Sequence, residues 1–387
     1  MSASARVAFR RLIRKSALTV CAILTGLILA LSANAQTIVA IDAPGAGVGA
    51  GQGTQGFGIT PAGVIMGDYI DANGTFHGFV RASDGAVTPF DVTGAGTGPG
   101  QGTVPNGMNP EGVITGYYTD SSGLSHGFVR SPGGAITTFD APGAGIPVGQ
   151  PCTPPVICSN GTQGASINPA GAIAGQFVDP GGVFHGFLRS PSGDITTFDA
   201  PGAGLGEGQG TFVTFGNGIN PAGEIAGGYA DANDEFHAIV RAPDGTITPF
   251  DPSGSVFTDN SGINPVGTVT SFFIDASDVL HGYVRAKDGT FTLFDIKDAG
   301  TGPSQGTEPL GINSPGDIVG AYIDSNGVNH GFLRTKNGAI TKLDAPGAGT
   351  ASGQGTIPVL NNPADAITGF FIDANGVFHG FLRIRPE

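Results

Sequence analysis

All seven histidines of the chain open the same short phrase: His77, His126, His185, His237, His281, His330 and His379 each stand in Phe-His-Gly-Phe-Leu/Val-Arg or a close variant. The steps between them are 49, 59, 52, 44, 49 and 49 residues. Self-similarity at such a period marks an array of supersecondary units that cannot bury their apolar faces alone and must stack on one another. Whatever the chain folds into is therefore one motif used seven times.

The stretch from Thr211 to Asp251 reads as one copy. Gly218-Ile219-Asn220 leads into the turn Pro221-Ala222-Gly223, and Glu224 to Tyr229 then runs extended toward Asp231. Asp231-Ala232-Asn233-Asp234 is a hairpin turn, written Asp71-Ala72-Asn73-Gly74 in another copy. Asn, Asp and Gly favour such turns because they hydrogen-bond locally or tolerate positive φ. The histidine strand Phe236 to Arg241 follows, then the turn Pro243-Asp244-Gly245, then Thr246 to Asp251. Four short strands joined by tight turns make one antiparallel sheet.

Seven such sheets predict an all-β fold, a seven-bladed β-propeller of four-stranded antiparallel blades. Thr37-Ile38-Val39-Ala40-Ile41-Asp42 aligns with the fourth strand of a copy, as in Thr196-Thr197-Phe198-Asp199, whereas the chain ends on a third strand, Phe378 to Arg383. The expectation is that the N-terminal strand completes the last blade and closes the ring. Closure removes exposed strand edges, and an open solenoid would have no use for it.

Residues 1–35 read as an export signal. Arg6, Arg10, Arg11, Arg14 and Lys15 precede the apolar run Ala17 to Leu31, and Ala33-Asn34-Ala35 fits a small-residue cleavage site. The repeat domain is then 36–387, and the expected location is the periplasm or the extracellular space, with no membrane span left after cleavage. Of 17 basic and 31 acidic residues, five basic ones go with the signal. This leaves 12 against 31, a net charge of −19, which excludes a nucleic-acid partner by repulsion. Cys152 and Cys158 sit in the one abnormally long copy. Export to an oxidising compartment favours a disulfide between them.

The His-Gly-Phe phrase and the Gly-Ile-Asn-Pro-x-Gly turn (Gly218 to Gly223, and again Gly262 to Gly267) resemble the bacterial extracellular HAF-repeat family. The resemblance spans the mature chain. The second residue of the phrase is Gly in six copies and Ala only at His237-Ala238-Ile239. The family implies an extracellular repeat protein and no established reaction.

Aspartates close the second strands (Asp71, Asp120, Asp179, Asp231, Asp275, Asp324 and Asp373) and the fourth (Asp42, Asp91, Asp140, Asp199, Asp251, Asp295 and Asp344). In a propeller both sets fall on one face, together with Gly-rich loops. Each histidine follows a second-strand aspartate by six residues, so the two are expected to meet across the hairpin. A pair repeated in every copy reads as a brace rather than as a base or a ligand. The copies offer no histidine or cysteine pair at metal-ligand spacing, so neither metal nor cofactor is expected; Ca²⁺ gathered by the fourteen aspartates is the one ion left open.

The expected function is a non-catalytic binding or scaffold propeller, a monomer whose acidic loop face meets an extracellular ligand or polymer. Whether it is an enzyme is left open. The rival reading is a lyase or hydrolase acting on an envelope or extracellular polymer at the mouth of the axial channel. It demands unlike polar residues on the axis in one or two copies, and the sequence by itself displays none. The asymmetric sector between the cysteine insertion and the short Asp251–Ser261 connection is the expected place for any ligand.

Overall fold

The computed structural model describes residues 37–146 and 160–384. The export signal, Cys152 and Cys158 lie outside the described residues. Every regular element described is a strand.

The chain enters with β1 (Thr37–Ile41), followed by β2 (Gly53–Ile59), β3 (Ile65–Ile70), β4 (Phe76–Arg81) and β5 (Val87–Phe90). β2, β3, β4 and β5 pair antiparallel in that order. The same order recurs from Gly102–Met108 to Ile136–Phe139, from Gly161–Ile167 to Ile195–Phe198, from Gly210–Val213 to Ile247–Phe250, from Ser255–Thr258 to Phe291–Phe294 and from Gly306–Ile312 to Ile340–Leu343. Strands Gly355–Asn361, Ile367–Ile372 and Phe378–Ile384 form the last ladder, and β1 pairs with Phe378–Ile384 as its outer member. The result is an all-β, nearly closed, propeller-like sheet.

Short-range chemistry explains the repetition. In the second-strand turn, Asp71 Oδ1 accepts the Asn73 and Thr75 N–H groups at 2.8 and 2.9 Å, an Asx turn that fixes the hairpin. In the turn after the first strand, Asn109 Oδ1 does the same for the Val113 N–H, at 2.9 Å. Gly53, at φ +118°, touches Phe378 of the preceding ladder so closely that a Cβ would stand 2.0 Å from its carbonyl oxygen. Only glycine fits that crossing.

The core lies between consecutive ladders. Met66, Val92, Ile114, Tyr118 and Phe128 make one cluster; Ile41, Ala43, Ile65, Tyr69, Phe79 and Leu382 make another, which joins the N-terminal strand to the C-terminal one. In five copies the arginine ending the histidine strand lies over the fourth-strand ring of the preceding ladder, as with Arg130 over Phe90 at 4.7 Å and Arg285 over Phe250 at 4.4 Å. That cation–π contact accounts for the recurring arginine. The preceding fourth strand carries Leu343 instead of a ring before Arg383, whose guanidinium donates to the Asp365 carbonyl at 3.0 Å.

Candidate functional site

The structure places each histidine between two aspartates. Nδ1 donates to the fourth-strand aspartate at 2.7 to 3.1 Å: His77 to Asp91, His126 to Asp140, His185 to Asp199, His237 to Asp251, His281 to Asp295, His330 to Asp344 and His379 to Asp42. Nε2 faces the second-strand aspartate at a longer 3.5 to 3.8 Å, in Asp71, Asp120, Asp179, Asp275, Asp324 and Asp373. Each imidazole also stacks on a second-strand ring, with centroids 4.8 to 5.1 Å apart (Tyr69 under His77, Phe273 under His281). The expected partner across the hairpin is thus present, but the short bond goes to the other aspartate set. The Asx turn holds Oδ1 of the second-strand carboxylate, and Nε2 faces the other oxygen, Oδ2, at the longer distance.

Those second-strand carboxylates are tuned accordingly. Burial works against the Asp71 anion, but the Thr75 and Asn73 N–H groups and the His77 ring outweigh it, and the carboxyl falls below its ordinary range. Asp120, Asp324 and Asp373 behave alike. In the fourth copy, where His237 makes no close Nε2 contact with Asp231, Glu235 joins the pair. The ligand atoms of Asp231, Glu235 and His237 lie within 4.8 Å of one another, the one such group among the described residues.

The axis is where the copies stop being alike. The first-strand residue after the repeated Thr reads Gln55, Val104, Gln163, Phe212, Asp259, Glu308 and Ile357 in successive copies. Across the ladder stand Asp68, Tyr117, Gln176, Gly228, Phe272, Ala321 and Phe370. This layer gathers unlike polar residues, among them Gln55, Asp68, Gln163, Gln176, Asp259 and Glu308. Its signal was one residue position in a repeat whose preceding Thr stands in all seven copies and whose following Ile-Asn stands in four.

Three acids in the layer are held protonation-prone by their surroundings. Asp68 is 2% exposed, its Oδ1 has no hydrogen-bond partner among the described residues, and burial pushes its carboxyl up to about 8. Glu308 is half-buried; desolvation, and then the charge of Asp259, push it up to about 7. Asp259 is raised by burial, although the Asn260 N–H and the Ser271 and Ser261 hydroxyls donate to it. Tyr117, beside Asp68, is raised as well, by burial and then by that carboxylate.

Two cavities open on the axis. The first, about 190 Å³, is ringed by the Asn-Pro turns from Thr60 and Pro61 round to Asn362 and Pro363. Asparagines link neighbouring copies there: Asn220 Nδ2 donates to the Asn264 carbonyl at 3.2 Å, Asn313 to Asn362 at 3.1 Å, and Asn362 to Thr60 at 3.1 Å. The second, about 410 Å³, is walled mainly by the fourth and fifth copies, with Phe212, Phe236, His237, Phe257, Asp259 and Asn260, and is completed by Gln176, Leu310 and Val359 of the third, sixth and seventh.

Local sequence explains the second cavity. The fourth copy has three extra residues between Thr211 and Ile219, where β2 runs from Thr54 to Ile59, and its regular strand stops at Val213. Gly228, without a side chain, pairs with Phe212. In the fifth copy the first strand breaks into Ser255–Thr258 and Gly262–Ile263, and Phe257 pairs with Phe236 where the second copy has Gly102 beside Phe76. The rings Phe184, Phe212, Phe236, Phe257 and Phe272 follow one another at 4.5 to 6.1 Å.

No protein-family model and no curated protein matches the chain. Among solved structures it is similar to the Aleuria aurantia lectin in complex with Fucα1-6GlcNAc, at 14% identity over 83% of this chain and 96% of the lectin, TM-score 0.41. It is similar to the BP39L lectin of Burkholderia pseudomallei, at 15% identity over 84% and 93% of the two chains, TM-score 0.42. Puromycin hydrolase matches at 14% identity and a TM-score of 0.44, over 84% of this chain and 52% of the hydrolase. These likenesses carry nothing about ligand or reaction.

Proposed function

We propose that the chain is an exported, monomeric propeller of seven four-stranded blades, of the HAF-repeat kind, that binds an extracellular ligand or polymer without transforming it. The observation that supports this is a division of labour. Residues shared by all copies are consumed in holding the fold: His–Asp pairs, Asx turns, arginines on rings. Residues that differ between copies run from Gln55 and Asp68 round to Ile357 and Phe370, and four of them, Gln176, Phe212, Gly228 and Asp259, line the 410 Å³ cavity. A rigid scaffold presenting unlike groups at one place is the usual build of a binding site. The acidic loop face, carrying both aspartate sets, is the approach surface, and its negative field favours cationic ligands.

A second reading has one observation in its favour. Asp259 and Glu308 lie in adjacent copies, and a carboxyl at about 7 is suited to general acid–base work. The test is to present a panel of glycans, peptidoglycan fragments and anionic polysaccharides to the chain from Gln36 onward. Saturable binding is followed in the same samples as product release. Binding without products supports the scaffold reading; products that disappear in Glu308→Gln support the enzyme.

A further inference from the structure

The 410 Å³ cavity walled mainly by the fourth and fifth copies has a polarity that selects its occupant. Asn260 is buried; its Nδ2 donates to the Ile239 carbonyl at 3.0 Å, while its Oδ1 has no partner among the described residues. Gln176 is used at both ends, donating to Gln163 Oε1 and accepting the Val213 N–H, each at 3.1 Å. His237 donates through Nδ1 to Asp251, so in the neutral ring the other nitrogen is an acceptor. Asp259 adds a carboxyl, and Glu308 stands near enough to feel its charge. Asn260 Oδ1 and the Asp259 carboxyl call for donors from a ligand, although the Thr258 hydroxyl, also in the wall, has no partner among the described residues. Facing these groups are the rings of Phe212, Phe236 and Phe257, whose π-faces attract cations.

We propose that this cavity binds a primary ammonium carried on an apolar or aromatic group. A sugar hydroxyl would bring acceptors as well as donors, whereas an ammonium brings three donors and none. Its charge also relieves the repulsion between Asp259 and Glu308. The proposal rests on the binding reading above and names the ligand class for one site within it.

Calorimetric titration of the chain from Gln36 onward, at low salt, tests it with three probes: phenethylammonium chloride, its neutral analogue 2-phenylethanol, and a set of methyl glycosides. The expected result is one-to-one binding of the ammonium, at least tenfold weaker binding of the alcohol, and a loss of at least tenfold in Asp259→Asn. Phe236→Ala should weaken the ammonium severalfold, with the unfolding temperature recorded to show that the variant is folded. Equal binding of the alcohol, or an unchanged Asp259→Asn, overturns the ammonium assignment. Glycosides binding in its place, with sensitivity to Phe236→Ala, overturn the class while the binding reading stands. If no probe binds, the cavity is not the site, and the polymer panel then decides the broader reading separately.

Discussion

His379 Nδ1 donates to the Asp42 carboxylate at 2.8 Å across 337 positions of sequence. It is the same bond that every other copy makes at a separation of 14, as in His126 to Asp140. The first and last strands thus join by the interaction that elsewhere joins neighbours in one hairpin.

His379→Ala should lower stability by about 1–3 kcal/mol, through the lost hydrogen bond and the lost stack on Phe371. Asp42→Ala should cost less, about 0.5–1.5 kcal/mol, because that carboxylate is more than half exposed. Denaturant unfolding of the two single variants and the double variant checks this. A double variant no worse than His379→Ala shows that the two act as a pair.

The repeated first-strand threonine is a staple between copies: Thr307 Oγ1 accepts the Ile296 N–H at 2.9 Å. At the matching place in the fifth copy, Pro252 has no N–H to give, and Thr258 Oγ1 is buried without a partner among the described residues. Thr307→Val should therefore cost about 1–3 kcal/mol by orphaning a buried donor, whereas Thr258→Val should be neutral or stabilising. Thermal melts of the two variants should separate clearly.

Asp68 gives a pH signature. Its carboxyl is raised from an ordinary value near 3.8 to about 8, so between these values the folded chain holds a proton that the unfolded chain has released. Stability from this group falls as pH rises through that window. Asp68→Asn should stabilise more at pH 8 than at pH 4, by on the order of 2–4 kcal/mol. The second-strand aspartates have the opposite sign. Asp71 and its counterparts are lowered, so their contribution is complete above the ordinary carboxylate range and is lost as pH falls through their depressed values. Unfolding from pH 3 to pH 8 should show both limbs.

Millimolar Ca²⁺ followed by chelator should move the unfolding temperature by less than about 1 °C. One oxygen of Asp71 already takes two N–H groups and the other takes Asn73 Nδ2, which leaves little for a hard cation that wants six to eight oxygens. A rise of several degrees would contradict this, and its loss in Glu235→Gln would trace it to Asp231, Glu235 and His237.

The period of the histidines and the turn residues between them made the strands legible. The strands Ile225–Ala230, Phe236–Arg241 and Ile247–Phe250 lie where the alternation and the Asp-Ala-Asn-Asp and Pro-Asp-Gly turns put them. The pairing of β1 with the C-terminal strand was legible too, because a fourth strand at one end and a third at the other have one arrangement that satisfies both. The histidine's short-bond partner was not, since sequence distance favours Asp71 at six residues over Asp91 at fourteen, and the shorter bond runs to Asp91. The axial layer was hidden for a different reason. Repetition draws attention to what recurs, and Gln55, Asp259 and Glu308 matter because they do not.

The most direct test of this division between bracing and binding residues is the unfolding temperature of two variants, His185→Ala and Glu308→Gln, measured at neutral pH without ligand. A brace should be missed and a binding group should not, since functional groups are commonly held at some expense of stability. The account predicts a fall of a few degrees for His185→Ala and an unchanged or higher temperature for Glu308→Gln. An unaffected His185→Ala together with a destabilised Glu308→Gln would contradict it.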